Sequence, residues 1–170
     1  MPPSTTTARR EDNAALSTLL KRLLSKRALT QADFDTVIEL TIQKVVEAVQ
    51  AEAITLFLKE ADGIRFANVY YSEHLYQGNR ELHDKYTIKA NTLRKTVLKP
   101  GQGIVGKVIQ TGQPYLAADA KSDPNFAAHI DKDTGFDTRS MVTVPLKMDA
   151  EVIVAIQALN KRNTGEQFGQ

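Results

Sequence analysis

The two stretches that decide the fold are RSMVTVPL at Arg139–Leu146 and VIVAIQAL at Val152–Leu159. Both are rich in β-branched residues, which favour β-strands. The five residues Lys147–Glu151 between them are too few for the crossover that parallel strands need, so the pattern predicts an antiparallel hairpin. Neither alternating set of the second stretch is polar throughout, so we expect both faces of that strand to be covered. A buried Gln157 in it needs a hydrogen-bond partner, which a ligand can supply.

Two further strands are predicted upstream, at Ala53–Lys59 and Ile64–Tyr70. The Asp-Gly pair between them is a strong signal for a tight hairpin turn. A helix is predicted before these strands, because Thr30 and Asp33 have the spacing of an N-terminal capping box. Apolar residues then recur at helical spacing to about residue 50.

The segment before that helix is predicted to be a loose polar arm followed by an amphipathic helix at about Asp12–Lys26. One face of this helix carries Leu16, Leu19, Leu20, Leu23 and Leu24. A stripe made of leucine alone favours pairing between subunits, so we expect a homodimer. The chain is therefore interpreted as a dimerisation segment, residues 1–29, and one domain, residues 30–170.

The middle of the chain gives weaker signals. Ser72–Lys95 is polar and its apolar residues have no clean period, so we expect short helical pieces and loop. The glycine-rich stretch Gly101–Gly106 then opens a short helix that ends at Gly112. Backbone N–H groups at such a helix start can hold an anion such as a phosphate, and a tight helix start without a ligand explains the glycines equally well. Asp123 is predicted to cap another helix, with a proline at its first position.

Composition excludes several classes of function. The chain has 170 residues, a net charge of +2 and no cysteine. The missing thiols exclude disulfides, thiolate metal sites and cysteine nucleophiles, and the small net charge does not indicate a nucleic-acid partner. No apolar run approaches the roughly 20 residues that span a bilayer, and residues 1–10 lack the apolar segment of a secretory signal. We therefore expect a cytoplasmic protein without a membrane span.

No catalytic constellation is predicted either. His74, His83 and His129 do not have the spacing of metal ligands. Asp119 and Asp123 are near enough in sequence to form a carboxylate pair, but a turn role and a cap role explain them better. We predict that the chain is not an enzyme.

Three segments of the sequence carry a family resemblance. They are GQGIVGKVIQTGQPYLAADAKSDPNF from Gly101, HIDKDTGFDTRSMVTVPL from His129 and EVIVAIQALNK from Glu151. In them the chain resembles GAF domains, and the second and third segments are similar to the cyclic-nucleotide-binding GAF domains of phosphodiesterases and bacterial adenylyl cyclases. The resemblance implies an α+β fold, GAF-like and PAS-related. Such a fold has a central antiparallel sheet, dimer-forming helices on one face, and a ligand pocket capped by short helices and loops on the other.

The resemblance also implies a purine site. It places Tyr70 where an aromatic ring stacks on the base, and Thr55 beside it. The backbone at Ile104 and Val105 is expected to hold the phosphate. The lid and floor residues that it implies are Ile130, Asp131, Thr134, Thr138 and Gln157.

The structural motif of such domains begins here as Asn160-Lys161, with Phe168 as a third member. The acidic pair that follows in those domains has no counterpart before the last residue, so the resemblance implies a C-terminally truncated domain of a longer protein. Tyr71 and Gln157 replace acids that are usual there. Their replacement removes acceptors for the guanine edge, so the resemblance favours cAMP or some other ligand over cGMP.

Together these implications predict a regulatory, small-molecule-sensing domain of a signalling protein, with cAMP or cGMP as the candidate ligand. Ligand binding would act on a covalently linked output domain through the dimer. The alternative is a ligand-free GAF-type dimerisation module whose pocket is filled by its own side chains. A methionine-sulfoxide-reducing branch of the family depends on cysteines, which this chain lacks.

Overall fold

The computed structural model describes residues 30–163 and residue 168. The chain divides into two compact units, residues 1–45 and residues 46–170. The leucine-striped helix predicted at Asp12–Lys26 lies outside the described residues. Within the part that is described, no helix combines the length and the apolar character needed to cross a lipid bilayer.

Helix α1, Gln31–Val49, begins with the predicted capping box. The Thr30 N–H donates to Asp33 Oδ2 at 2.9 Å, and the Asp33 N–H donates to Thr30 Oγ1 at 3.2 Å. Each side chain thus satisfies a backbone N–H group at the helix start, where no partner exists within the helix. The prediction of this helix start is confirmed.

The larger unit is built around one six-stranded antiparallel sheet. Its strands are β1 (Ala51–Glu60), β2 (Gly63–Tyr71), β3 (Val97–Leu98), β4 (Tyr115–Ala117), β5 (Met141–Met148) and β6 (Glu151–Lys161), in the spatial order β3-β2-β1-β6-β5-β4. Both predicted hairpins, β1 with β2 and β5 with β6, are confirmed. The β5–β6 turn is tighter than expected, because the strands extend until Asp149 and Ala150 alone connect them.

Alternation along the strands gives this sheet two faces. Thr55, Gln157 and Thr143 lie side by side in β1, β6 and β5 and therefore share one face. That face carries the main apolar core, which includes Phe57, Phe66, Tyr71, Leu93, Leu98 and Phe136. On the opposite face Ala158 is buried, whereas Val154 is only partly covered. The prediction that both faces of β6 are covered is therefore confirmed only towards its C-terminal end.

The region after β2, expected to be short helical pieces and loop, contains a long helix instead. Helix α2 runs from Arg80 to Arg94, and the Asn79 side chain caps it by accepting from the Leu82 N–H at 3.1 Å. The buried side chains of α2 are Ala90 and Leu93. Because this buried stripe is narrow and the rest of the helix is polar, the helical period was hidden in the sequence.

Two short helices follow. Helix α3, Gly103–Thr111, confirms the helix predicted after the glycine-rich stretch. The helix predicted at Asp123 is wrong. The Asp123 carboxylate accepts from the Tyr115 hydroxyl and from the Asn125 N–H, each at 2.8 Å, and these bonds stabilise a turn. Helix α4, Ala128–Thr134, comes after that turn.

Candidate functional site

A cavity of about 60 Å³ lies between the core face of the sheet and helices α3 and α4. Strands β1 and β6 form its floor, the first turn of α3 forms one wall, and α4 with the residues that follow it forms a lid. All but one of the side chains that the resemblance assigns to a ligand line this cavity. They are Thr55, Ile104, Val105, Ile130, Asp131, Thr134, Thr138 and Gln157.

Tyr70 is the exception, and its neighbour Tyr71 lines the cavity instead. A bulge in the β1–β2 ladder explains the difference, because Ala67 has no partner in the register of the two strands. One extra residue reverses the side-chain alternation, so Val69 and Tyr71 rather than Tyr70 face the core. The prediction that Tyr70 lies in this pocket is wrong, and the aromatic ring available for stacking there is that of Tyr71.

Gln157 lies on the cavity floor, where the sheet itself holds its side-chain amide. Its Nε2 donates to Thr143 Oγ1 at 2.8 Å and lies 3.5 Å from Met141 Sδ. The hydrogen-bond partner that a buried Gln157 needs is therefore supplied within the chain, without a ligand. Thr55 pairs with Gln157 across the ladder, and its hydroxyl has no hydrogen-bond partner among the described residues.

Hydrogen bonds within the chain hold the lid in place. Asp131 Oδ2 accepts from the Thr138 N–H at 2.8 Å, and Asp131 Oδ1 accepts from the Thr138 hydroxyl at 2.7 Å. Lys89 of α2 reaches the C-terminal end of α4, where its Nζ donates to the Gly135 carbonyl at 3.3 Å. These bonds join α4 to the residues that follow it, and they attach the lid to α2.

The start of α3 leaves backbone N–H groups that the helix does not use. The Gly106 N–H donates to the Gln102 carbonyl at 3.1 Å, so the N–H groups of Ile104 and Val105 precede the intrahelical ladder. Gln102 provides no side-chain cap, because its Oε1 accepts from the Lys99 N–H at 2.9 Å. Such a helix start stabilises a bound anion.

Aromatic and aliphatic side chains form the remaining walls. The ring centroids of Tyr71 and Phe136 are 5.6 Å apart, and those of Phe57 and Phe66 are 4.7 Å apart. The volume of about 60 Å³ is well below the roughly 150 Å³ that accepts benzene and the roughly 300–1,000 Å³ of drug-sized sites. The cavity is therefore too small to enclose a purine.

Asn160 organises a buried polar network at the edge of the cavity lid. Its Oδ1 accepts from the backbone N–H groups of Arg139, at 2.7 Å, and Ser140, at 3.2 Å. Its Nδ2 donates to Glu52 Oε2 at 2.8 Å and to the Asp137 carbonyl at 2.9 Å. One side chain of β6 therefore connects β1 with the segment that leads from the lid to β5.

Glu52 and Arg139 belong to this network and were missed by the sequence analysis. Glu52 is buried, and its Oε1 lies 2.7 Å from Arg139 Nη2. An acid within an otherwise apolar strand is the signal that indicates such a partner, because a buried charge is stable only when it is paired. In the same motif, Lys161 Nζ lies 5.7 Å from the ring centroid of Phe168, a cation–π distance.

Asp119 and Asp123 do not form an acid–base pair. Asp119 Oδ2 accepts from Ser122 Oγ at 2.7 Å, and this hydrogen bond lowers the pKa of the Asp119 carboxyl. A general acid that works near neutral pH needs a raised pKa instead. Among residues 30–163 and 168, no group of three or more His, Asp or Glu side chains is placed to hold a metal ion.

The buried phenol of Tyr71 makes alkaline unfolding a test of the cavity wall. Burial raises the pKa of Tyr71 above its ordinary value of 10.0, so the folded chain keeps this proton at pH values where the unfolded chain loses it. The free energy of unfolding is therefore expected to fall above about pH 10, by up to roughly 1.4 kcal/mol per pH unit for this group. Tyr71→Phe is expected to make the decline shallower, as measured by urea unfolding over this pH range. An identical slope in the variant would show that Tyr71 is not buried.

Comparisons with a family model and with a known relative both point to one protein family. The model of the GAF domain family matches residues 33–170. A dual 3',5'-cyclic-AMP and -GMP phosphodiesterase 11A from Takifugu rubripes is 33% identical over 122 residues, which are 71% of this chain and 13% of that protein. The chain thus spans only a small part of this relative.

Solved structures agree on the fold. The GAF domain of a phosphoenolpyruvate-protein phosphotransferase from Coxiella burnetii matches with a TM-score of 0.61 and 17% identity, covering 94% of this chain and 83% of that one. A free methionine-R-sulfoxide reductase from Neisseria meningitidis, in complex with its substrate, matches with a TM-score of 0.51 and 18% identity, covering 72% and 59%. With its six-stranded antiparallel sheet and the family match over most of its length, the chain belongs to the GAF domain family.

Proposed function

We propose that this chain is a regulatory, small-molecule-sensing GAF domain of a signalling protein, with cAMP as the first candidate ligand. The observation that carries the proposal is the convergence of floor, lid and helix start on one cavity. Similarity to a dual cyclic-AMP and -GMP phosphodiesterase supports a cyclic nucleotide as the guest. A covalently linked output domain, a dimer formed through residues 1–29 and a cytoplasmic location belong to the same proposal.

The polar groups of the cavity favour adenine over guanine. Asp131 is the carboxylate among the lining residues, and both of its oxygens already accept hydrogen bonds from Thr138. Guanine presents several N–H donors on its pairing edge, and each donor that is buried without an acceptor costs binding free energy. The Thr55 hydroxyl can donate to a ring nitrogen of adenine.

The start of α3 suits the cyclic phosphate. The N–H groups of Ile104 and Val105 lie in the first turn of a helix whose side chains provide no cap. The phosphate carries one negative charge, which the helix dipole and these donors stabilise together. With the base near Thr55 and the phosphate near α3, the sugar would lie beneath the lid.

Displacement of the lid is the signal in this proposal. A purine exceeds the volume of the cavity, so we expect binding to move α4 and stretch the contact between Lys89 and the Gly135 carbonyl. A ligand that binds more tightly when the lid is open shifts the equilibrium towards the open lid. The size of the shift is set by the difference between its binding free energies for the open and the closed lid. The change would pass through α2 and α4 to the rest of the signalling protein.

The second candidate function is a ligand-free dimerisation module. The observation that favours it is the small cavity volume of about 60 Å³, which is walled by the aromatic side chains of Phe57, Phe66, Tyr71 and Phe136. In that case side chains fill the space above this face of the sheet and leave no ligand site. Association through residues 1–29 is then the function.

Thermal unfolding with a nucleotide panel separates the two candidates. Under the sensor proposal, cAMP at about 100 times its dissociation constant stabilises the fold by about 2.7 kcal/mol, seen as a rise in Tm. The shift with cGMP is expected to be smaller, and linear AMP is expected to give none. If no cyclic nucleotide raises the Tm at millimolar concentration, the ligand-free module is the correct description.

A matched pair of threonine variants tests whether cAMP binds in the cavity. Thr55→Val removes the cavity hydroxyl with little change in volume and is expected to weaken cAMP binding about fivefold. Thr92→Val removes an exposed hydroxyl of α2 that bonds to the Ile88 carbonyl, and it is expected to leave the affinity unchanged. Equal effects of the two substitutions would argue against the cavity as the binding site.

A further inference from the structure

A second and larger cavity lies outside the proposed ligand site. It measures about 210 Å³ and is bounded by the C-terminal end of β2, the turn after it and one face of α2. We call it the tyrosine groove, after lining residues that include Tyr70, Tyr71, Tyr76, Tyr86, His83 and Arg94. A cavity of roughly 150 Å³ accepts benzene, so the tyrosine groove has room for one aromatic ring with a small substituent.

The groove is walled by aromatic rings. The ring centroids of Tyr71 and Tyr86 are 4.8 Å apart, and those of Tyr76 and Tyr86 are 6.5 Å apart. His83 meets the Tyr76 ring edge-on at 5.1 Å. Rings at these spacings offer faces and edges on which another planar ring stacks.

The charge of the groove selects against cations. Arg94 lines it, and no carboxylate pairs with Arg94 among the described residues. Arg94 Nη1 instead donates a long hydrogen bond to Asn91 Oδ1, at 3.4 Å. The Lys89 ammonium already lies 4.8 Å from the Tyr86 centroid, so a further cation on that ring would be repelled.

The groove supplies hydrogen-bond donors but no anionic acceptor. The Tyr76 and Tyr86 hydroxyls, whose pKa is raised by burial, can each donate a hydrogen bond to a guest. Arg94 supplies a planar set of N–H donors that matches a carboxylate. No carboxylate is among the residues that line the groove, so a guest would bring the negative charge that pairs with Arg94.

We propose that the tyrosine groove is a second ligand site, and that it binds a planar aromatic carboxylate whose ring stacks among the tyrosines and whose carboxylate pairs with Arg94. The site is separate from the sheet cavity but adjoins it. Val69 and Tyr71 line both cavities. A guest in the groove therefore touches the same ring that forms a wall of the proposed cyclic-nucleotide site.

Titration of the isotope-labelled full chain by NMR tests the proposal. Benzoate and phenylacetate are expected to give saturable shifts in the amides of α2 and the end of β2. Cyclohexanecarboxylate, which has the charge without the aromatic ring, is expected to bind several-fold more weakly. Arg94→Gln is expected to weaken benzoate binding about fivefold, because the pair is exposed, whereas the control Lys99→Gln, which removes an exposed cation outside the groove, changes it less than about twofold.

The same titration can overturn the proposal in three ways. It is overturned if neither aromatic acid gives saturable shifts, or if Arg94→Gln binds benzoate as well as the unmodified chain does. It is also overturned if tetramethylammonium binds in preference to the acids. Arg94 is exposed, so its substitution leaves the fold intact, as an unchanged spectrum of the unliganded variant would verify. Failure of cAMP to bind in the sheet cavity would not affect any of these outcomes.

Discussion

Replacing Asn160 with alanine is expected to lower the free energy of unfolding by about 3–5 kcal/mol, the largest effect predicted for a single substitution here. Asn160 is fully buried, and its side chain makes four hydrogen bonds. Truncation leaves two backbone N–H groups, one carbonyl and an oxygen of the Glu52 carboxylate without this partner. Because Glu52 and Ser140 are buried, water replaces their lost bonds poorly. Urea unfolding of the two proteins measures the difference.

A glycine variant separates the hydrogen bonds from the backbone conformation. Asn160 adopts a positive φ of 52°, which costs alanine more than asparagine and costs glycine nothing. If the hydrogen bonds dominate, Asn160→Gly is nearly as unstable as Asn160→Ala. Recovery of most of the stability in Asn160→Gly would assign the effect to the backbone. Asn91→Ala, on an exposed face of α2, is the control and is expected to change stability by less than about 0.5 kcal/mol.

Gly106→Ala is expected to destabilise the chain by about 2–3 kcal/mol, because it forces two backbone segments apart. A Cβ atom at Gly106 would lie 2.5 Å from the carbonyl carbon of Gly101 and 2.9 Å from its Cα. The obstacle is main chain and cannot rotate away. The start of α3 must therefore shift, and with it the N–H groups proposed to hold the phosphate. Urea unfolding measures the first effect, and a weaker cAMP affinity would reveal the second.

Gly78→Ala is the matched control for Gly106→Ala. A Cβ atom at Gly78 meets nothing within 4 Å, although its φ of +79° strains any other residue. The expected loss is about 1 kcal/mol, from backbone strain alone. Equal losses at the two positions would contradict the close packing of Gly101 against Gly106.

Features set by local chemistry were predictable from the sequence. The capping box at Thr30 and the two hairpins depend on residues near one another in the chain, so their signals are strong. The glycine-rich stretch before α3 had two interpretations. The contact between Gly101 and Gly106 supports a tight helix start, which is also compatible with a bound anion.

Features set by tertiary structure were not predictable in the same way. The alternation of Ile64 and Phe66 continues to Tyr70 in a regular strand, but the bulge at Ala67 changes the parity and brings Tyr71 into the cavity. The hydrogen bonds of Asp123 similarly favour a turn over a helix cap, because the Tyr115 hydroxyl comes from a different element. Neither outcome can be derived from residue spacing alone.

The candidate site shows the same division. The resemblance identified side chains that do meet in space, such as Thr55, Asp131 and Gln157. It did not reveal that Gln157 and Asp131 bond within the chain, to Thr143 and Thr138. These internal partners and the aromatic walls reduce the cavity to a volume that no composition or motif predicts.

A crystal structure of the chain grown with saturating cAMP tests the central claim most directly. The proposal predicts a purine stacked on Tyr71 above Thr55, the phosphate at the start of α3, and α4 displaced outward from the sheet. An unchanged cavity of about 60 Å³, with Tyr71 and Phe136 in contact and the bonds between Asp131 and Thr138 intact, would contradict it.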